Sequence, residues 1–418
     1  MSYNHKNKWL SLIVLFVGGG IMYQLPLLRM LFYEQMVDGM NLNSSQIGVL
    51  GAAFGVAATI CYFPGGWLAD KFSCRKLIAF SFLMNGIGGF YYATLPSFKI
   101  SVALNFYFGV FSTITYWAAL IKATGMLGSD NESSKMLGIL EGGRGITSTI
   151  AGIIAMQIFN MIGGKVFGLQ AVLVFYSFVY LICSGLSWFV LEDSDAPGVE
   201  LEKTSVTMKE LLSVSKDKNV WIICGVIFCV YTIYSAQAYI TPYLTDVFGM
   251  TVSLGLILNI IRSYVTQFTG GPLGGVVAQK MGSSSKFIRV SILVSIASVI
   301  LFLVMPQKPE LIIIASINVV ILMFSNYMAR GVYFSTIQEV NIRPEIRGSA
   351  SGFASFIGFL PEILTPLVIG YLIDNFGNNG YKFMYIYILI TLLCGLIFIN
   401  LLIHNIRKQK EGIKNTEN

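Results

Sequence analysis

Six ionisable side chains stand inside long apolar runs of this chain: Arg29, Glu141, Arg144, Arg262, Arg330 and Glu362. In hydrocarbon each costs at least ~2.5–3.5 kcal/mol on insertion scales, so each needs a partner or a function. Four arginines against two glutamates leave an excess of positive charge. A guanidinium stays charged when buried and grips carboxylate, phosphate or sulfonate through two parallel hydrogen bonds. The chemistry these residues suggest is reversible holding of a small organic anion. No histidine lies in an apolar run, because His5 and His404 are terminal, so proton coupling would fall on Glu362 first and Glu141 second. Exchange of one anion for another needs no titrating group and stays open beside it.

The elements that carry these charges are set by composition. The chain is 55% hydrophobic and 12% charged, whereas ordinary soluble domains are roughly 25% charged. Runs of about 20 apolar residues suffice to cross a bilayer as helices. They predict twelve spans, at 9–34, 45–69, 76–96, 100–124, 136–161, 168–191, 220–246, 252–278, 286–306, 310–335, 348–374 and 381–404. The fold class is therefore an all-α membrane protein. Lys6 and Lys8 precede an apolar stretch that is too long for a signal peptide and lacks a small-residue cleavage site, so it reads as a retained first helix.

Depth separates the charged residues. Arg262 precedes Gly275 by 13 residues, roughly 20 Å of helix rise, which puts it near the membrane middle as the leading substrate contact. Arg29 lies in the outer half of span 1. Glu362 sits between Pro361 and Pro366, where a helix loses hydrogen bonds and bends. Glu141 and Arg144, three apart on one helix, either neutralise each other or serve a substrate or gating role. Arg330 and Lys122 are both placed to snorkel or to make a gate contact, with snorkelling the leading reading for Lys122. Tyr23, Tyr116, Trp117, Tyr231, Tyr234, Tyr239 and Tyr327, with Gln24, Gln237 and Asn326, add polar tips to an aromatic wall that suits a hydroxylated substrate. Packing and interfacial anchoring account equally for many of these rings. Gly18, Gly19, Gly20 and Gly51 predict close helix approach.

The chain also repeats itself. Gly65-Gly66-Trp67-Leu68-Ala69-Asp70-Lys71 recurs 209 positions later as Gly274-Gly275-Val276-Val277-Ala278-Gln279-Lys280. Tyr23, Pro26, Leu28 and Phe32 are echoed by Tyr239, Pro242, Leu244 and Phe248. Two similar apolar halves are the mark of a transporter. The polar interruption from Glu192 to Asn219 divides them. It gives an N-terminal six-helix bundle at 1–192, a linker at 193–219, a C-terminal bundle at 220–405 and a tail at 406–418. Within the linker, residues 207–212 form either a short amphipathic surface helix or a solvated tether.

The loop after span 2 resembles the signature loop of the major facilitator superfamily. Gly66, Leu68, Ala69, Asp70, Lys71, Arg75 and Lys76 fit that signature, while Ser73 and Cys74 stand in place of its Gly and Arg. In the second copy Gln279 replaces the acidic residue. The resemblance covers nearly the whole chain. It implies two pseudo-symmetric six-helix bundles that alternate access, with spans 3, 6, 9 and 12 facing lipid and the other eight around a cavity. None of the six charges lies deep in spans 3, 6, 9 or 12, in keeping with that arrangement. By the same resemblance, Gly66, Asp70, Lys71 and Arg75, joined by Arg144, serve gating, with the Asp70 loop steadying one end state.

Lys and Arg fix the orientation. With both termini cytoplasmic, about 20 of the 28 basic residues fall on the cytoplasmic side, and Lys99, Lys165, Lys308 and Lys382 fall outside. The net charge of +7 then reports topology and anionic headgroups without a nucleic-acid partner. The six cysteines imply neither a disulfide framework nor a metal site. No Ser–His, metal-ligand or phosphate-loop pattern points to an enzyme, and no cofactor is implied. The reading is a monomeric carrier in a bacterial inner membrane, moving a sugar acid, carboxylate, phosphate or sulfonate. Substrate contacts fall to Arg262, Arg29, Tyr23, Trp117, Tyr239, Gln237 and Arg330, with Glu362 and Glu141 for protons. An exporter of amphipathic compounds and a transporter-like sensor are the alternatives.

Overall fold

The computed structural model describes residues 5–127, 133–192, 215–340, 342 and 347–416. The side chains of residues 5–7, 63, 70, 133–135, 137, 138, 141, 347–349, 410 and 412–416 lie outside that description, as does the region 207–212 of the linker. The described backbone is helical and forms two compact units, Met1–Glu202 and Lys203–Asn418.

In the first unit, span 1 is broken: α1 (His5–Ile21), a 3-10 turn (Leu28–Met30) and α2 (Tyr33–Met40). Spans 2 and 3 are α3 (Ser44–Lys71) and α4 (Cys74–Tyr92). Span 4 is α5 (Phe98–Ser112), a π-helical turn (Thr113–Trp117) and α6 (Ala118–Met126). Spans 5 and 6 are α7 (Ser133–Ile162) and α8 (Lys165–Val190). A capping box starts α3, where Asn43 accepts from the Gln46 N–H and Gln46 accepts from the Asn43 N–H.

In the second unit, span 7 is α9 (Lys218–Ala236), a 3-10 turn (Gln237–Tyr239) and α10 (Ile240–Phe248). Span 8 is α11 (Val252–Ile260), a π-helical turn (Ile261–Val265) and α12 (Thr266–Lys280). Spans 9 and 10 are α13 (Ser284–Val304) and α14 (Ile312–Arg330), the latter followed by the short α15 (Thr336–Glu339). Span 11 is α16 (Arg347–Gly358) and α17 (Pro361–Phe376), and span 12 is α18 (Asn378–Thr416). Among the described residues nine segments are long and apolar enough to cross a membrane, and Lys8–Ile21 is a shorter apolar helix. Spans 3 and 8 fill the remaining positions, so the chain is a multi-pass membrane protein.

The internal repeat is visible as packing. Span 1 lies on span 5, span 2 on span 4 and span 3 on span 6; in the second unit 7 lies on 11, 8 on 10 and 9 on 12. The glycine repeats make one of these contacts possible. A Cβ on Gly65 would stand 3.0 Å from the carbonyl oxygens of Thr113 and Ile114, and Gly274 is pressed in the same way against Met328. Gly66 and Gly275 have nothing within 4 Å. Neighbours in sequence point about 100° apart on a helix, so only one glycine of each pair faces the partner helix. Apolar side chains such as Phe80, Ile87, Phe178, Phe189, Val304, Ile390 and Ile397 remain exposed on spans 3, 6, 9 and 12, which suits hydrocarbon as the outer solvent.

Candidate substrate-binding site

In the second unit, breaks in three spans bring most of the predicted residues into one cluster. Arg262 lies in the π-helical turn of span 8 and is fully buried. Its Nε and Nη2 donate to Asn259 Oδ1 at 2.8 and 2.6 Å, Nε also to Thr241 Oγ1 at 3.3 Å, and Nη1 to Gln237 Oε1 at 3.3 Å. The Thr241 hydroxyl in turn donates to Asn259 Oδ1. These acceptors are uncharged oxygens, so they fix the guanidinium's geometry without cancelling its charge. Such π-helical turns recur at functional sites.

Gln237 Oε1 also accepts from the Ser263 hydroxyl at 3.4 Å. Tyr327 borders Arg330, whose guanidinium carbon lies 3.8 Å from the Tyr234 ring centroid, 5.1 Å from that of Tyr231 and 5.3 Å from that of Tyr327. All three distances are within cation–π range. Arg330 is part-exposed. Tyr231 lies 4.5 Å from Phe359, centroid to centroid, and its hydroxyl donates to Glu362 Oε2 at 2.5 Å. Glu362 occupies the first turn of α17, behind Pro361, where a negative charge complements the helix dipole. Tyr239 is buried and donates to the Pro366 carbonyl at 2.9 Å, tying span 7 to the same bent helix. Asn326 Nδ2 donates to the Val230 carbonyl at 2.7 Å and ties span 10 to span 7.

The first unit holds a smaller cluster. Arg144 lies against Gly19, where a Cβ would come within 2.7 Å of its Cγ. Its Nε donates to the Gly19 carbonyl at 3.2 Å, and its guanidinium sits 5.0 Å over Trp117. Trp117 meets Tyr23 edge-on at 6.2 Å, and the Tyr23 hydroxyl donates to the Ser112 carbonyl at 3.3 Å. Trp117 closes the π-helical turn of span 4, as Arg262 lies in that of span 8. Arg29 donates to the Pro26 carbonyl at 3.0 Å, with its Nε where a Gly51 Cβ would be 2.8 Å away. The side chains of Glu141 and Asp70 lie outside the described residues.

Around the Asp70 loop, Lys71 lies 4.1 Å over the Trp67 ring and Arg75 5.1 Å over Trp188. Lys122 does not simply snorkel: its Nζ donates to the Ala69 carbonyl at 2.7 Å. The last carbonyls of a helix have no partner within it and attract a cation, so the ammonium ties span 4 to the end of α3. Sequence reasoning missed Asn259 and Thr241, which hold Arg262, and Tyr231 as the partner of Glu362. It also missed Glu339, which accepts the N–H groups of Ser284 and Ser285 at the start of α13. An Asn three residues before an intramembrane Arg was a readable signal; nothing local marked Glu339.

A family model described as Major Facilitator Superfamily matches residues 9–366. The chain belongs to the major facilitator superfamily. It is 29% identical over 413 residues to the inner membrane protein YqcE of Escherichia coli K12, covering 97% of each chain. It is 30% identical to the inner membrane protein YihN of the same organism over 385 residues, 91% of each. A hexuronate transporter of Bacillus subtilis 168 is 22% identical over 402 residues, again 91% of each. In fold, a solved bacterial homologue of the human lysosomal transporter Spinster, inward-facing and unoccupied, gives a TM-score of 0.78 at 14% identity, covering 97% of this chain and 99% of that one. The two-unit repeat, the π-helical turns and the Asp70 loop therefore belong to a superfamily transporter, and a small molecule is its substrate. It is not an enzyme.

Proposed function

We propose that this superfamily member carries a small organic anion across a bacterial inner membrane by alternating access, as a monomer with both termini cytoplasmic. The observation that carries the reading is the cluster of span-7, span-8, span-10 and span-11 side chains, which holds two guanidinium groups and one carboxylate among tyrosines. Arg330, part-exposed and stacked on Tyr234, grips the anion. Arg262 keeps the surrounding potential positive and, through Gln237, fixes the wall. The tyrosine hydroxyls suit a hydroxylated carboxylate, and a distant relative named for hexuronate fits the same chemistry. Glu362 is the proton site of a symport cycle. Within the first unit, Arg144, Trp117, Tyr23 and Arg29 form that unit's own candidate substrate residues, with Glu141 as a second acid. Lys71, Arg75, Gly66 and Asp70 serve the conformational change, and residues 193–219 are the tether between the bundles.

Binding to the folded state raises the melting temperature with occupancy. The test is a thermal-stability screen of purified protein against D-glucuronate, D-glucose, sulfoacetate and lipophilic cations. Stabilisation by anions alone, lost in Arg330→Ala, supports the reading. Equal stabilisation by neutral or lipophilic compounds makes an amphipathic exporter the better one.

A further inference from the structure

Among the described residues, the Tyr231 side chain touches both the arginine and the acid of the cluster. Its hydroxyl donates to Glu362 Oε2 at 2.5 Å, while its ring lies 5.1 Å from the Arg330 guanidinium carbon and 5.0 Å from Tyr234, the ring on which Arg330 stacks most closely. Phe359, at the break in span 11, lies against the Tyr231 ring at 4.5 Å and an interplanar angle of 30°. The ring is thus held between the bend that carries Glu362 and the helix that carries Arg330.

We infer that Tyr231 is the positioning residue through which the charge of Glu362 reaches the anion-gripping Arg330. This rests on the proposed proton site at Glu362. While Glu362 is a carboxylate, the Tyr231 hydroxyl makes a charge-assisted hydrogen bond that fixes the ring's tilt. When the carboxylate takes a proton from the coupling gradient, one O–H bond forms and the acceptor becomes a neutral acid. The hydrogen bond then falls to about half its strength, and the ring turns relative to Arg330. Proton occupancy therefore changes how the guanidinium is presented to the anion. Among the described residues, the titratable groups facing this pair include Tyr234 on α9, Tyr327 and Arg330 on α14, and Tyr333 in the turn after it, with Tyr387 on α18 hydrogen-bonded to Thr365 of the Glu362 helix. Tyr231 is bonded to Glu362 and stacked near Arg330 at once.

The experiment is infrared difference spectroscopy of the full-length protein in lipid, stepped from pH 8 to pH 5. It uses wild type, Glu362→Gln, Tyr231→Phe and Arg330→Lys. The wild-type spectrum should contain a carboxylic-acid C=O band absent in Glu362→Gln and a tyrosine C–O band absent in Tyr231→Phe. It should also contain a guanidinium C–N band absent in Arg330→Lys. The inference requires that Glu362→Gln also abolish the tyrosine band and that Tyr231→Phe also abolish the guanidinium band. Tyr231→Phe keeps the ring, so loss of the guanidinium band reports the hydroxyl and not packing. Persistence of that band in Tyr231→Phe would overturn the inference and leave Glu362 as the proton site. A carboxyl band unchanged in Glu362→Gln would overturn both. If Tyr231→Phe does not fold, Glu362→Gln alone decides, because a tyrosine or guanidinium band that survives it contradicts the route.

Discussion

Arg330 lies over Tyr234 with its guanidinium carbon 3.8 Å from the ring centroid, with Tyr231 of the same neighbouring helix 5.1 Å away and Tyr327 of its own helix 5.3 Å away. A flat, delocalised cation can stack on rings and still offer its edge to a carboxylate; an ammonium cannot do both. Arg330→Lys therefore keeps the charge and loses the geometry. Saturable uptake of an organic anion should weaken roughly 5- to 30-fold, in line with ~1–2 kcal/mol for a desolvated cation–π contact. Arg330→Ala should remove it. Unchanged uptake kinetics in Arg330→Lys would show that only charge matters.

Arg262 is fully buried, and its stability depends on its acceptors more than on itself. Asn259→Leu removes the oxygen that accepts from both Nε and Nη2. It should lower stability by about 1–3 kcal/mol or more, because a buried charge loses hydrogen bonds. Arg262→Met, which removes the charge as well, should cost less. Melting curves of the two variants in one detergent check the order, and the reverse order would mean that Arg262 is neutralised from elsewhere.

The glycine pairs give a prediction with opposite signs. A Cβ at Gly65 or Gly274 would run into backbone of span 4 or span 10, so Gly65→Ala and Gly274→Ala should destabilise by about 1–3 kcal/mol. Gly66→Ala and Gly275→Ala meet open space and should be neutral or stabilising by up to ~1 kcal/mol, since glycine is a poor helix former. Thermal melts of the four single variants decide it.

The spans were legible because a bilayer tolerates few solutions: runs of apolar residues this long cross as helices, and the halves repeat one sequence. The break in span 11 was legible from Pro361 and Pro366. The π-helical turns at Thr113–Trp117 and Ile261–Val265 were not, because no residue type encodes the extra residue in the turn; packing of the flanking helices decides it. Residue types singled out Arg262, Arg330 and Glu362, but many of their partners, Thr241 and Gln237 for Arg262, Tyr234 for Arg330 and Tyr231 for Glu362, came from other spans. Tyr231 and Glu362 are 131 residues apart, and Glu339 and Ser284 are 55 apart. The Lys122 bond to the Ala69 carbonyl was not legible, because a snorkelling lysine and one bonded to a helix end have the same sequence signal.

Glu339 ties the end of span 10 to the start of span 9, accepting from the Ser285 N–H at 3.1 Å and the Ser285 hydroxyl at 2.5 Å as well as from the Ser284 N–H. Glu339→Ala removes this cap and should cost about 1–2 kcal/mol. Amide exchange at Ser284 and Ser285 should quicken in the variant while exchange in the first unit stays as it was.

The central claim is most directly tested by flux. Wild type, Arg330→Ala and Glu362→Gln would be reconstituted in liposomes, and accumulation of D-glucuronate and of D-glucose followed under an imposed inward proton gradient. The account predicts glucuronate accumulation by wild type alone, abolished by Arg330→Ala, uncoupled from the gradient in Glu362→Gln, and no glucose accumulation in any case. Glucose moved as well as glucuronate, with Arg330→Ala indistinguishable from wild type, would contradict it.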